Sequence, residues 1–157
     1  MQINSSAKNS HGAITSLTTL YNRHQTAQSA YTELSQQKAM DEITTLVKSL
    51  ADYHQHIVTD LRQHLQDLPS VPTKPNQDML EDTTSLSDAD LASASTAAQT
   101  FKAYEEEILN LYKGLLDNSG LPEGIREQVQ RHSERVTDVI SKLERVSKTG
   151  IERVMSV

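Results

Sequence analysis

Asp117-Asn118-Ser119-Gly120-Leu121-Pro122-Glu123-Gly124 is the turn on which the fold is decided, because a helix-period apolar stripe flanks it on either side within residues 87–148. On the N-terminal side Leu91, Ala94, Ala98, Phe101, Ile108, Tyr112 and Leu115 recur at three- and four-residue steps, which stack on one face of a 3.6-residue helix. On the C-terminal side Ile125, Val129, Val136, Val139, Leu143 and Val146 do the same. Gly120 is suited to closing the first helix in a left-handed conformation, and Pro122 to opening the second where its missing N–H is not needed. An antiparallel helical hairpin follows, and its apolar side needs partners.

Working outward, the same pattern occurs twice more in the N-terminal half. A first stripe consists of Ile14, Leu17, Tyr21, His24, Gln28 and Tyr31, with Leu20, Ala27 and Leu34 on the adjoining line. The next apolar set, Ile43, Val47, Leu50, Ile57 and Leu61, is out of phase with it, so a turn is expected near 36–41 with Asp41 as the N-cap. Pro69 stops that second helix, and Pro69, Pro72 and Pro75 open a polar, mostly solvated connection reaching to Leu86. Extended chain rises ~3.3 Å per residue and helix ~1.5 Å, so this connection is long enough to cross the full length of a helix. Ser87 with Asp90 reads as a capping box for the third helix. The spacing thus predicts helices at about 13–36, 41–68, 88–117 and 122–149. They form one four-helix bundle over 13–150, between a flexible polar tail at 1–12 and a short tail at 151–157. Coiled-coil oligomerisation, the competing all-α architecture, is disfavoured by the breaks in phase.

Composition supports the all-α class. Of 157 residues 36% are hydrophobic and 4% aromatic, with one Phe and no Trp, so the core must come from Leu, Ile, Val and Ala, which suit helix–helix seams. Four Pro and five Gly are too few for a loop-rich β architecture. The absence of cysteine excludes disulfides, thiolate metal sites and a cysteine nucleophile. A net charge of −6 without any basic block argues against nucleic-acid binding. The start of the chain carries no signal pattern, and apolar runs fall far short of the ~20 residues of a membrane span, so a cytoplasmic location and no membrane partner are expected.

One site-like pattern lies inside the seams. His24 and His54 are equally far from the first turn, and Glu105 and His132 are equally far from the Gly120 turn, so each pair should meet at mid-height. Three imidazoles and a carboxylate in a bundle core are candidate ligands for Fe, Mn or Zn. The competing reading is a polar layer that fixes register and is satisfied by its neighbours, with Tyr21, Tyr31, Tyr53 and Tyr104 at hand. Of Glu105, Glu106 and Glu107 only one or two can face inward, and His11, His56 and His64 read as surface residues. No Gly-rich phosphate loop or nucleophile elbow is present, so no hydrolase reading arises.

The order Leu17-Thr18-Thr19-Leu20, Gln28-Ser29-Ala30-Tyr31, Thr100-Phe101-Lys102-Ala103-Tyr104-Glu105-Glu106 and Leu121-Pro122-Glu123, followed by a last helix, resembles a bacterial ferritin-like four-helix-bundle family of unknown function over about residues 13–148. The resemblance implies the fold and a long second connection. Ferritin-like bundles hold iron or manganese on a Glu from each of two helices and Glu-x-x-His from the others. Carried across, the first-helix Glu falls on Gln28, and the third-helix acidic position falls on Ala97 or Ala98. Asp52 lies near the second-helix ligand, with Gln55 where His is expected, and His132 stands on the fourth helix with Val129 in place of Glu. A degenerate metal site is the implication. The expected function is a non-catalytic bundle that needs no cofactor and acts through a protein partner or a homodimer, or in a stress-associated role. The alternatives are a metal-binding or redox bundle using His24, His54, Glu105 and His132, and a helical adaptor or chaperone.

Overall fold

The computed structural model describes residues 2–37, 41–66, 86, 89–117 and 120–149, with side chains in the first helix described from residue 14 onward. Among them all regular structure is helical: α1 (Gln2–Ser35), α2 (Asp41–Gln66), α3 (Ala94–Leu116) and α4 (Glu123–Thr149). Among the described residues the expected all-α arrangement of four helices is present. No described helix is long and apolar enough to cross a membrane.

Two boundaries differ from expectation. α1 does not start near residue 13 but already at Gln2, so the residues read as a tail are helical. Once the packed end of a helix has nucleated, each further residue adds one hydrogen bond for one residue fixed, which lets α1 continue through Ala7 and Lys8 despite the weak helix formers Asn4, Ser5, Ser6, Asn9, Ser10 and Gly12. α2 is described as far as Gln66, and its expected end at residue 68 lies outside the described residues. α3 begins at Ala94, later than the expected 88: Ser93 sits in extended conformation (φ −144°, ψ 151°) and its hydroxyl accepts from the Thr96 N–H at 3.1 Å. Asp90, the other member of the expected box, instead caps a local turn by accepting from the Ala92 N–H at 2.9 Å. Ser87, like residues 38–40, the three prolines 69, 72 and 75, and the tail 151–157, lies outside the described residues.

The expected break between the first two helices is present. The Gln36 and Gln37 N–H groups bond three residues back, to the Glu33 and Leu34 carbonyls, which tightens and ends α1. Asp41 and Glu42 occupy the first turn of α2, where their charge complements the helix dipole. At the far hairpin the Arg126 guanidinium reaches back from α4 to donate to the Leu116 carbonyl at 2.7 Å, occupying an acceptor that the end of α3 leaves free. At the other end of this pair the Ser95 hydroxyl donates to the Ser147 carbonyl.

The inward faces join in one core. Leu17, Leu20, Tyr31 and Leu34 of α1 meet Ile43, Val47, Leu50, Ile57 and Leu61 of α2, Phe101, Ile108 and Leu115 of α3, and Val129, Val136, Leu143 and Val146 of α4, all at 2% exposure or less. Each such side chain contributes about 1.5–3 kcal/mol on burial. Ala97 and Ala98, fully buried, leave room for close packing along α3. Leu86, in a connection expected to be mostly solvated, is also buried in this core.

Cross-helix contacts fix the directions. Tyr21 meets Arg62 and His24 meets His54, so α1 and α2 are antiparallel. His24 meets Tyr112 and Tyr31 meets Glu105, so α1 and α3 are antiparallel as well. α2 and α3 consequently run the same way, and the end of one lies at the opposite end of the bundle from the start of the other.

Candidate functional site

Glu105 is the inward-facing member of its acidic triplet: it is fully buried, whereas Glu106 is exposed and Glu107 half-exposed. A carboxylate removed from water requires donors, and Glu105 has three. The Tyr53 hydroxyl donates to Oε1 at 2.6 Å, the Tyr31 hydroxyl to Oε2 at 2.8 Å, and His54 Nε2 to Oε2 at 2.8 Å. The chain of bonds continues. His54 Nδ1 lies 2.7 Å from His24 Nδ1, and His24 Nε2 lies 2.7 Å from the Tyr112 hydroxyl.

Hydrogen-bonding rules assign one self-consistent proton arrangement. An ionised carboxylate only accepts, so His54 carries its proton on Nε2 and presents a lone pair at Nδ1. His24 therefore donates from Nδ1, leaving Nε2 to accept from the Tyr112 hydroxyl. Burial pushes His24 well below the usual histidine value of 6.5, reinforced by the neighbouring His54, His132 and Arg23. Tyr31 and Tyr53 are raised well above 10, first by burial and then by the Glu105 charge, which keeps both phenols protonated as donors. Tyr112 is raised by burial, and by Glu105 and Asp60. Ring contacts pack the same groups: Tyr31 stacks on His54 with centroids 5.5 Å apart, and Phe101 meets Tyr31 edge-on.

Three of the four candidates thus come together, and the fourth does not join them. His24, His54 and Glu105 form one hydrogen-bonded layer. His132, expected to meet Glu105, instead places Nε2 3.1 Å from Asp60 Oδ2, on α2. It flanks the layer through Tyr112, their ring centroids 6.4 Å apart. The physical reason is rotation about the helix axis: equal distance from a turn sets height but not facing, and His132 faces the α2 side of the bundle. Its Nδ1 is buried without a hydrogen bond, and burial lowers its pKa despite Asp60.

Of the tyrosines named as possible partners, Tyr31 and Tyr53 take that role. Tyr21 accepts from Arg62 instead, and the Tyr104 hydroxyl lies beside the buried Arg23 guanidinium. Tyr112, by sequence a member of an apolar stripe, is a hydrogen-bonding member of the layer. Asp60 and Gln128 were missed altogether because both lie off the stripes. The four-residue step from Gln128 to His132, and from Asp60 to His64, was the available signal.

The residues present do not fit a di-metal carboxylate centre. Ala97 and Ala98 are buried without donors, Val129 is in the core, Asp52 and Gln55 are exposed, and the Gln28 amide is directed to Thr32 at 3.4 Å. Two nitrogens bound to one ion at ~2.1 Å stand about 3.0–3.4 Å apart, so the 2.7 Å between the two Nδ1 atoms is the length of a hydrogen bond, not of a shared metal. Among the described residues no three His, Asp or Glu side chains converge as ligands. No family model, curated protein or solved structure matches the chain.

Proposed function

We propose that this protein is a non-catalytic ferritin-like bundle that acts through protein contacts at its surface. The observation that supports this reading is the closed central layer. Tyr31, Tyr53, Tyr112, His24, His54 and Glu105 are each 0–1% exposed and spend their polar atoms on one another, so the layer offers no reactive group to a substrate. Such a layer specifies register between helices, the best-attested use of buried polar groups. The parallel course of α2 and α3 agrees with the single long crossover of ferritin-like bundles.

The alternative, a metal-binding or redox bundle, draws on the convergence of His24, His54 and Glu105, and requires the two imidazoles to part before an ion could enter. One experiment separates the two. Protein purified without chelator is analysed for Fe, Mn and Zn and cross-linked in cells through exposed lysines such as Lys48 and Lys113. Cross-links to one protein, or to a second copy, in fixed ratio, with no metal that depends on His54, are expected. A stoichiometric metal that disappears in His54→Ala, with no cross-linked partner, overturns the proposal.

A further inference from the structure

Asp60 and Gln128 with His132 meet where α2 packs against α4, and their facing atoms form a nearly equilateral triangle. Asp60 Oδ2 lies 3.1 Å from His132 Nε2 and 3.1 Å from Gln128 Nε2, and Gln128 Nε2 lies 3.0 Å from His132 Nε2. Hydrogens cannot satisfy all three edges. If His132 Nε2 accepts from the amide, its lone pair opposes the carboxylate, and if it donates, Asp60 Oδ2 accepts from both nitrogens while the third edge brings two N–H donors to 3.0 Å of each other. Turning the amide over places Oε1 beside Asp60 Oδ2, again two like partners, and gives up one long exposed contact from Arg131 at 3.4 Å.

A cation resolves the conflict. With the amide turned, carboxylate oxygen, amide oxygen and imidazole nitrogen all present lone pairs to a common point. The face of an octahedron with bonds of ~2.1 Å has edges of about 3.0 Å, whereas a tetrahedral ion needs about 3.4 Å. The observed edges, which are also ordinary hydrogen-bond lengths, fit the octahedron and not the tetrahedron. We propose that Asp60, Gln128 and His132 form a three-donor face for an octahedral divalent transition-metal ion of the Mn²⁺ to Ni²⁺ series.

The surroundings support an accessible site. The Asp60 side chain is 45% exposed, so an ion reaches the face from solvent and water completes its shell. His64 lies one turn beyond Asp60 on the same face of α2, half-buried and near enough to act on His132. An imidazole donor favours transition metals over Mg²⁺ or Ca²⁺. The site shares no ligand with the layer around Glu105 and stands whether or not that layer is purely structural. Bound, the ion ties α2 to α4 and stabilises the fold by mass action.

Calorimetric titration of the tag-free, chelator-stripped chain with MnCl₂ and with NiCl₂ tests this. One saturable equivalent is expected, with Ni²⁺ tighter than Mn²⁺ and a melting temperature that rises with ion concentration. Asp60→Ala, a change at an exposed side chain, and His132→Ala each lower affinity by roughly tenfold or more, while His56→Ala, at an exposed residue away from the triangle, leaves it unchanged. Circular dichroism verifies folding of each variant, and Asp60→Ala decides the matter if His132→Ala unfolds. Absence of saturable binding by either ion, unchanged affinity in Asp60→Ala, or loss in His56→Ala overturns the proposal.

Discussion

Glu105 has no water to solvate it, so its charge is held by two phenols and an imidazole N–H, and each of these donors in turn has its geometry set by packing. Glu105→Gln keeps the shape but leaves one oxygen for three donors and turns an amide N–H toward a neighbour that also donates. A loss of about 2–4 kcal/mol in urea denaturation is expected, and a loss below about 1 kcal/mol would contradict the assigned donor set. Tyr112→Phe removes the donor to His24 Nε2 and strands a buried acceptor, at about 1–3 kcal/mol. Tyr104→Phe, which deletes a hydroxyl beside Arg23 and outside the layer, should cost less than Tyr112→Phe under the same conditions. Acid acts on the same residues. His24 and His132 titrate lower in the folded chain than in the unfolded one, where the ordinary value is 6.5. Below that value the unfolded chain binds more protons, so stability of chelator-treated protein is level above about pH 7 and falls as the pH drops through 6.5, by up to about 1.4 kcal/mol per unit for each histidine. Urea midpoints measured between pH 5 and 8 check the direction. A midpoint that rises on acidification would refute it.

At the scale of single elements, the helices were legible because apolar side chains at three- and four-residue steps can be buried together only in a helix, and every member of the α4 stripe from Ile125 to Val146 is buried as read. Their starts were less legible. Ser87 and Ser93 are both competent caps, and the choice depends on where Leu86 and Leu91 find cover in the core, which no local pattern records. The start of α1 was missed for a different reason, since a polar segment with no breaker except Gly12 gives no periodic signal even when it continues a helix. Ser93→Ala should therefore destabilise the protein by about 1 kcal/mol, seen as a lower midpoint with an unchanged denaturant slope. In the site, height along the bundle was readable from distance to the turns, which brought His24, His54 and Glu105 together. The facing of His132 was not, because a small rotation of α4 decides between Glu105 and Asp60 as neighbour.

For the molecule as a whole, one contiguous core and one polar layer couple all three helices α1, α2 and α3 through Glu105, while α4 joins through its apolar stripe and the Asp60 contact. Unfolding should be a single transition. Tyrosine fluorescence, the only strong intrinsic signal in a chain without Trp, and helical dichroism should coincide across a denaturant series, and separated transitions would show that the two antiparallel pairs unfold independently. The hydrogen between His24 Nδ1 and His54 Nδ1 carries a further consequence. It is shut away from bulk water, so it trades for deuterium only when α1 and α2 separate. Its downfield imidazole resonance is a clock for the breathing of that seam, readable from one signal without any label.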